Sequence, residues 1–247
     1  MEISHGRYPI LDACRGCAVI MMVWFHFFVD LEYLGIEGPD PFSGPLRLFG
    51  MITTVLFIGI AGISAHLKIE KTSGFMNQLV TFFVRGGKLL GIGFCITLVT
   101  WLVLDGEGYV VFGILHLLGT ALLLTPFLYR IGYFGLFLAA LLIVGSCSVH
   151  IPNGPIWLAW LGVVPPLFYS IDYTPLIPWL SVFLIGLSLG RFFFPAGYPR
   201  YQIITYQDPM VLQRHLACVG RHSLVIYLIH QPLLFVLIGF CFGVFFR

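Results

Sequence analysis

Asp12, Arg15, His26 and Asp30 stand in one otherwise apolar stretch that runs from Arg7 to Glu32. Wound as a helix at about 100° per residue with Asp12 at zero, Arg15 falls at about −60°, His26 at about −40° and Asp30 at about 0°. All four ionisable groups therefore share one face. A charge at membrane depth is costly unless it meets protein or water, so this face belongs inside a helix bundle. An imidazole there can titrate near neutrality and serve as a general base. Asp30, one turn after His26, is placed to orient the ring and support an imidazolium. The competing reading makes His26 one member of an interhelical hydrogen-bond network. Asp12 and Arg15, three positions apart, are spaced to form an ion pair that fixes helix depth.

Other chemistry-bearing residues are scattered more widely. His116 and Thr120 lie one turn apart, and Ser223, Tyr227 and His230 fall within about 60° of one another on a helix. Together they could complete a polar cavity; taken alone, Tyr227 and His230 read as interhelical hydrogen-bond partners. His5, His66, His150, His215 and His222 fall near helix ends or in loops and carry no assigned role. The cysteines lie in or beside apolar runs, where thiols behave as small hydrophobes, and no disulfide framework is implied. Cys14 and Cys17 form a Cys-x-x-Cys without a second Cys or His pair at ligand spacing, so no metal is expected. No P-loop, dinucleotide fingerprint or zinc-helix motif is present, which removes ATP hydrolysis and NAD chemistry from the leading options.

The elements that must position these residues are membrane helices. The 247 residues are 59% hydrophobic and 10% charged, and the mean hydropathy is +0.96. That is more apolar surface than a soluble core of this length needs. Repeated apolar runs of about 17 to 25 residues predict a helical bundle rather than a barrel. A net charge of +2 indicates no nucleic-acid partner. The first run contains Trp24 and Phe25 and is followed by no small-residue cleavage site, so it reads as a retained helix rather than a signal peptide.

The expected fold is an all-α integral membrane protein, a single domain over residues 1–247 with seven transmembrane helices. After the first, the predicted spans are about Leu48 to Leu67, Thr81 to Leu104, Val110 to Tyr129, Tyr133 to Val149, Trp179 to Phe194 and Arg221 to Phe245. Gly59, Ala61, Gly62, Ser64 and Ala65 in the second span permit close helix packing. So do Gly186 and Gly190 in the sixth, whose spacing also leaves room for a homodimer. Between the fifth and sixth spans, Pro152, Pro155, Pro165, Pro166, Pro175 and Pro178 break the chain, which suits an interfacial or re-entrant element. A polar loop with Arg200 and Arg214 is expected before the last span. Placing the N terminus in the cytoplasm collects Arg7, Lys68, Lys71, Arg85, Lys88, Arg130, Arg191, Arg200, Arg214 and Arg221 there, leaving Arg47 and Arg247 outside.

Four motifs, in order, carry a family resemblance. Asp12-Ala-Cys-Arg15-Gly16-Cys-Ala, with His26 late in the same run, resembles the first membrane helix of the heparan-alpha-glucosaminide N-acetyltransferase catalytic-domain family, within the transmembrane acyltransferase superfamily. Phe112-Gly-Ile-Leu-His116-Leu-Leu-Gly119 is similar to its Gly-Ile/Val-Leu-His/Gln motif. Asp172-Tyr-Thr-Pro-Leu-Ile-Pro-Trp179 is similar to a pattern of the bacterial branch. Gly220-Arg-His-Ser223-Leu-Val-Ile-Tyr227-Leu-Ile-His230-Gln-Pro resembles the closing motif. The chain departs from the animal enzyme in its loop after the first helix, which contains no histidine. The general-base assignment to His26 therefore rests on residue chemistry.

The resemblance implies an acetyl-CoA-dependent N- or O-acetyltransferase without a metal, multi-pass in a bacterial inner (plasma) membrane. It would admit the donor from the basic cytoplasmic side and a sugar or glycan acceptor from the other. His26, Asp30 and His116 are then the catalytic candidates. Arg15, held by Asp12 and joined by Lys88 or Arg221, would bind the coenzyme A phosphates. Asp172, Trp179, Ser223, Tyr227 and His230 would face the acceptor. The alternative from another class is a proton-coupled transporter using the polar face of the first helix as a relay. Against it stand an odd span count and the absence of duplicated halves.

Overall fold

A computed structural model describes residues 8–148, 154–201 and 211–243. Arg7, His5, His150, Pro152, Val149, Phe245 and Arg247, named above, lie outside the described residues. Eight α-helices occur among those described: α1 (Pro9–Tyr33), α2 (Gly44–Glu70), α3 (Phe75–Val103), α4 (Ile114–Leu128), α5 (Phe134–Ser148), α6 (Leu176–Phe193), α7 (Val211–Arg221) and α8 (Ser223–Cys241). Short 3₁₀ turns occupy Ile156–Leu161 and Pro195–Gly197. The described residues contain no strand. Helices α1, α2, α3, α6 and α8 are long and apolar enough to cross a membrane. Side chains such as Phe83 and Val103 stand exposed on α3, which an aqueous surface would penalise and acyl chains would not. The chain is an integral membrane protein built from helices.

Two compact units divide the chain. The first holds residues 1–60 and 201–247, the second residues 61–200, and α2 supplies residues to both. In the first unit α1 is the axis. Helix α7 runs antiparallel along its first half, where Gly16 lies against the backbone of Leu216 and Gly220, and Gly220 against that of Asp12. A Cβ on either glycine would come within 2.9 Å of the opposite backbone, so only hydrogen fits at this crossing. Helix α8 then turns back and runs in the same direction as α1. His230 meets His26, Gln231 meets Asp30 and Phe235 meets Tyr33 in ascending order.

In the second unit α3 and α4 form an antiparallel pair, crossing where Gly86 and Gly119 abut. Gly62 of α2 sits on the backbone of Phe183 and Leu187 in α6, and Gly190 of α6 sits on His66 of α2. The Gly186/Gly190 face, open on sequence grounds to a second copy, is thus taken by α2 of the same chain. Gly59 has nothing within 4 Å of where its Cβ would be.

Three expectations about element boundaries are revised. The fourth span starts at Ile114 rather than Val110. Residues 110–113 are extended instead, because Val110 donates to Thr100 Oγ1 at 3.1 Å and Thr174 donates to the Phe112 carbonyl at 2.8 Å. At 15 residues each, α4 and α5 are shorter than the roughly 20 residues that cross a hydrocarbon core unaided. The loop expected around Arg214 contains α7, whose Ala217 and Gly220 are buried. In the proline-rich segment Tyr173 donates to the Ala159 carbonyl at 2.8 Å. Burial pushes the Tyr173 phenol up to about 12, so it remains an O–H donor there.

Candidate active site

At the start of α1 the Asp12 carboxylate accepts from Arg15 Nη1 at 3.0 Å, the ion pair that their spacing predicts. The glycine crossing brings α7 onto this same turn, so Arg221, next to Gly220, ends its helix beside the turn carrying Asp12 and Arg15. Two cations of distant motifs are thereby placed at one helix end. Lys88 is exposed on α3 and belongs to the second unit.

Further along α1 is a cluster contributed by α1 and α8. His26 donates from Nδ1 to the Met22 carbonyl at 2.9 Å, since a carbonyl can only accept. His230 likewise donates from Nδ1 to the Tyr227 carbonyl, at 2.7 Å. Each ring in its neutral form therefore carries its lone pair on Nε2, the state that general-base chemistry needs. The rings meet edge to face with centroids 4.8 Å apart. His230 is 6% exposed and Asp30 2%.

Asp30 Oδ1 accepts a hydrogen bond from Gln231 Nε2. The carboxylate expected to orient His26 is thus engaged across the helix interface, and the His26 ring is anchored by its own helix. Sequence reasoning missed Gln231. The signal available was its place beside His230 in a polar break of an apolar run. Tyr227 and Ser223 are half-buried on the same helix, and the Tyr227 ring lies 5.7 Å from His230.

The remaining predicted residues belong to the second unit and form a different arrangement. Gly113 donates its backbone N–H to His116 Nδ1 at 3.2 Å, so the ring proton sits on Nε2, 3.4 Å from Thr97 Oγ1. Both ring nitrogens are used, and Phe94 and Phe112 flank the ring at 5.0 and 5.3 Å. Asp172 accepts from the Ile114 N–H at 3.2 Å and from Thr174 Oγ1 at 3.0 Å, where a carboxylate favours a helix N-terminus. His116 and Asp172 together cap α4. Trp179 is half-buried in the first turns of α6.

His66, given no role by the sequence, is fully buried and donates from Nε2 to the Phe194 carbonyl at 3.0 Å. Beside it Tyr129 donates its hydroxyl to Glu70, and Arg191 donates to the Tyr129 carbonyl at 2.6 Å. This cluster fastens the ends of α2, α4 and α6.

Among the described residues no group of three His, Cys, Asp or Glu side chains is arranged to hold a metal. The site of α1 and α8 offers two imidazoles whose Nδ1 atoms are held by backbone carbonyls, a buried carboxylate and, at the other end of α1, two arginines. No curated protein and no solved structure matches the chain. The family model described as heparan-alpha-glucosaminide N-acetyltransferase, catalytic, matches residues 7–232, and the chain belongs to this family of transmembrane acetyltransferases.

Proposed function

We propose that the protein moves an acetyl group from cytoplasmic acetyl-CoA to an amine or hydroxyl of an extracytoplasmic sugar or glycan, in the plasma membrane of a bacterium. The observation that carries this reading is the meeting of His26 and His230, each with Nδ1 spent on a carbonyl of its own helix. A tethered Nδ1 fixes each ring in the tautomer whose Nε2 is the proton-accepting nitrogen. The acceptor's nitrogen or oxygen adds to the thioester carbonyl carbon, and its proton passes to His26 Nε2. The carbon–sulfur bond then breaks and coenzyme A leaves. Positioned proton transfer of this kind contributes roughly 10²- to 10⁴-fold.

Arg15 and Arg221 meet the coenzyme A phosphates, and Asp12 holds Arg15 ready. The shared direction of α1 and α8 supports the topology, because two helices crossing in the same sense require an odd-numbered place for the last span if the first is one. With the N terminus inside, both helices leave the basic side and end on the acidic one, so the donor cations and the imidazoles lie in sequence along one path.

The test is transfer itself. Purified protein in nanodiscs receives acetyl-labelled acetyl-CoA and a panel of amino sugars and glycan amines, and label should appear on an acceptor. If no acceptor is labelled while reconstituted vesicles take up a sugar in step with protons, the transporter reading replaces this one.

A further inference from the structure

Arg85 and Lys88 stand exposed on α3, three positions apart, and neither makes a side-chain hydrogen bond, ion pair or ring contact with another described residue. Other cations of the same unit are engaged. Arg130 donates to Gln78 Oε1 at 3.3 Å and Arg191 to the Tyr129 carbonyl at 2.6 Å, each with its guanidinium over an aromatic ring. Helix α3 is also the least buried of the five candidate spans.

The helical period fixes which way the two cations face. With Lys88 at zero and about 100° per residue, Val84 and Leu102 fall at about −40° and Gly91 at about −60°, whereas Phe82, Gly86 and Gly93 fall between about 120° and 160°. The latter three are the buried residues of α3, and Val84 and Leu102 are exposed. Lys88 thus stands opposite the packed face, with Arg85 about 60° to one side. Depth follows from the other end of the helix. Helix α3 ends at Val103 and the acidic turn Asp105-Gly-Glu107 follows almost at once, which holds that end at the water boundary. At 1.5 Å per residue Lys88 lies about 22 Å and Arg85 about 27 Å back from Val103, both short of the roughly 30 Å of a hydrocarbon core. Helical side chains lean toward the N-terminus and long basic stems snorkel toward water. Both charges therefore surface at the phosphate level of the leaflet on the Phe75 side.

A cation facing acyl chains without a partner is costly, and the anions at that depth are lipid phosphates. Arginine offers a planar fork and lysine a point charge. Their Cβ atoms, three positions apart on a helix, are about 5–6 Å from each other, close enough to share one phosphodiester. A headgroup with its own ammonium would set a third positive charge beside these two, so the pair selects a lipid of net negative charge. One turn deeper, Gly91 has nothing within 4 Å of where its Cβ would be, and the same holds at Gly87. The bare backbone there leaves a shallow notch for the acyl chain below the phosphate.

We infer that Arg85 and Lys88 form a binding site for an anionic phospholipid, with its phosphate on the two cations and an acyl chain along Gly91. The site stands apart from the acyl-transfer reading, and it gives Lys88 a partner other than coenzyme A.

Native mass spectrometry of the purified protein in a non-ionic detergent reads the Kd of the first bound lipid, with dioleoyl phosphatidylglycerol and dioleoyl phosphatidylcholine compared. Two cations at the membrane surface correspond to a preference of roughly 30-fold for the phosphatidylglycerol. In Arg85→Gln/Lys88→Gln the ratio of the two Kd values should fall to within about threefold. Lys71→Gln/Arg200→Gln, which removes two other exposed charges of the same unit, should keep the wild-type ratio. Should the first double variant not fold, Lys88→Gln alone should lower the preference about fivefold. Equal affinities in the wild type overturn the inference, as does a preference lost equally in both double variants, which would mean general attraction to basic protein. If Arg85→Gln/Lys88→Gln keeps its lipid preference and loses affinity for coenzyme A, the two cations belong to the donor site and the lipid site is refuted.

Discussion

Gly16 and Gly220 occupy one another's van der Waals space, so that α1 and α7 touch backbone to backbone. Each glycine adjoins an arginine, Arg15 on one side and Arg221 on the other. The Arg-Gly of the first motif and the Gly-Arg of the last are two halves of a single crossing. Small residues let the axes approach, and the approach brings together the two turns that carry the arginines. Forcing a side chain into a packed interface typically costs about 1–3 kcal/mol, occasionally more. Gly16→Ala and Gly220→Ala should each cost stability at the upper end of that range and so lower the melting temperature. Gly59→Ala, which meets open space, should be neutral or slightly stabilising, because alanine is the better helix former. Equal melting of Gly16→Ala and Gly59→Ala, followed by size-exclusion fluorescence, would sink the account of the crossing.

His26→Ala and His116→Ala separate the two histidine arrangements. The first should lower kcat by roughly 10²- to 10⁴-fold while changing the melting temperature little. The second removes both the Gly113 bond and the Thr97 bond and should cost about 1–3 kcal/mol of stability, with activity falling only in proportion to folded protein. Asp30→Asn should lie between the wild type and His26→Ala in kcat. A stable, inactive His116→Ala protein would reverse the assignment.

Arg15→Glu should weaken coenzyme A binding, and the difference from wild type should shrink as salt is raised, because exposed charges are screened within about 10 Å at 0.1 M. Binding curves at two ionic strengths decide it. An unchanged Kd would leave Arg15 as the structural partner of Asp12.

Topology is checked by labelling. In a cysteine-free background, single cysteines at Lys71 and Tyr198 should react with an impermeant maleimide only from the cytoplasmic side, and those at Glu37 and Ser170 only from the other. Reaction of all four from one side would overturn the orientation.

What could be read from residues alone divides by range. The long apolar runs name α1, α2, α3, α6 and α8 because hydrophobic length is a local property. The helical period puts Asp12, Arg15, His26 and Asp30 on one face for the same reason. Helix α7 escapes that reading, since eleven residues with two arginines earn their helix from packing on Gly16. The late start of α4 escapes it too, because a backbone bond from Thr174, some sixty residues on, holds Phe112 extended. The partner of Asp30 is 201 positions away, and no local periodicity carries the register between two helices so far apart.

The same-sense pairing of α1 and α8 has a consequence for how the protein is made. Helix α1 emerges first from the ribosome with a carboxylate and an imidazole meant for partners on the last helix. At roughly 5–20 residues per second, the 201 positions from Asp30 to Gln231 take about 10 to 40 seconds to synthesise. Throughout that interval a half-finished polar face must be sheltered from acyl chains by the insertion machinery or by water. A chain ending before α8 would leave Asp30 without Gln231 and His26 without the ring of His230.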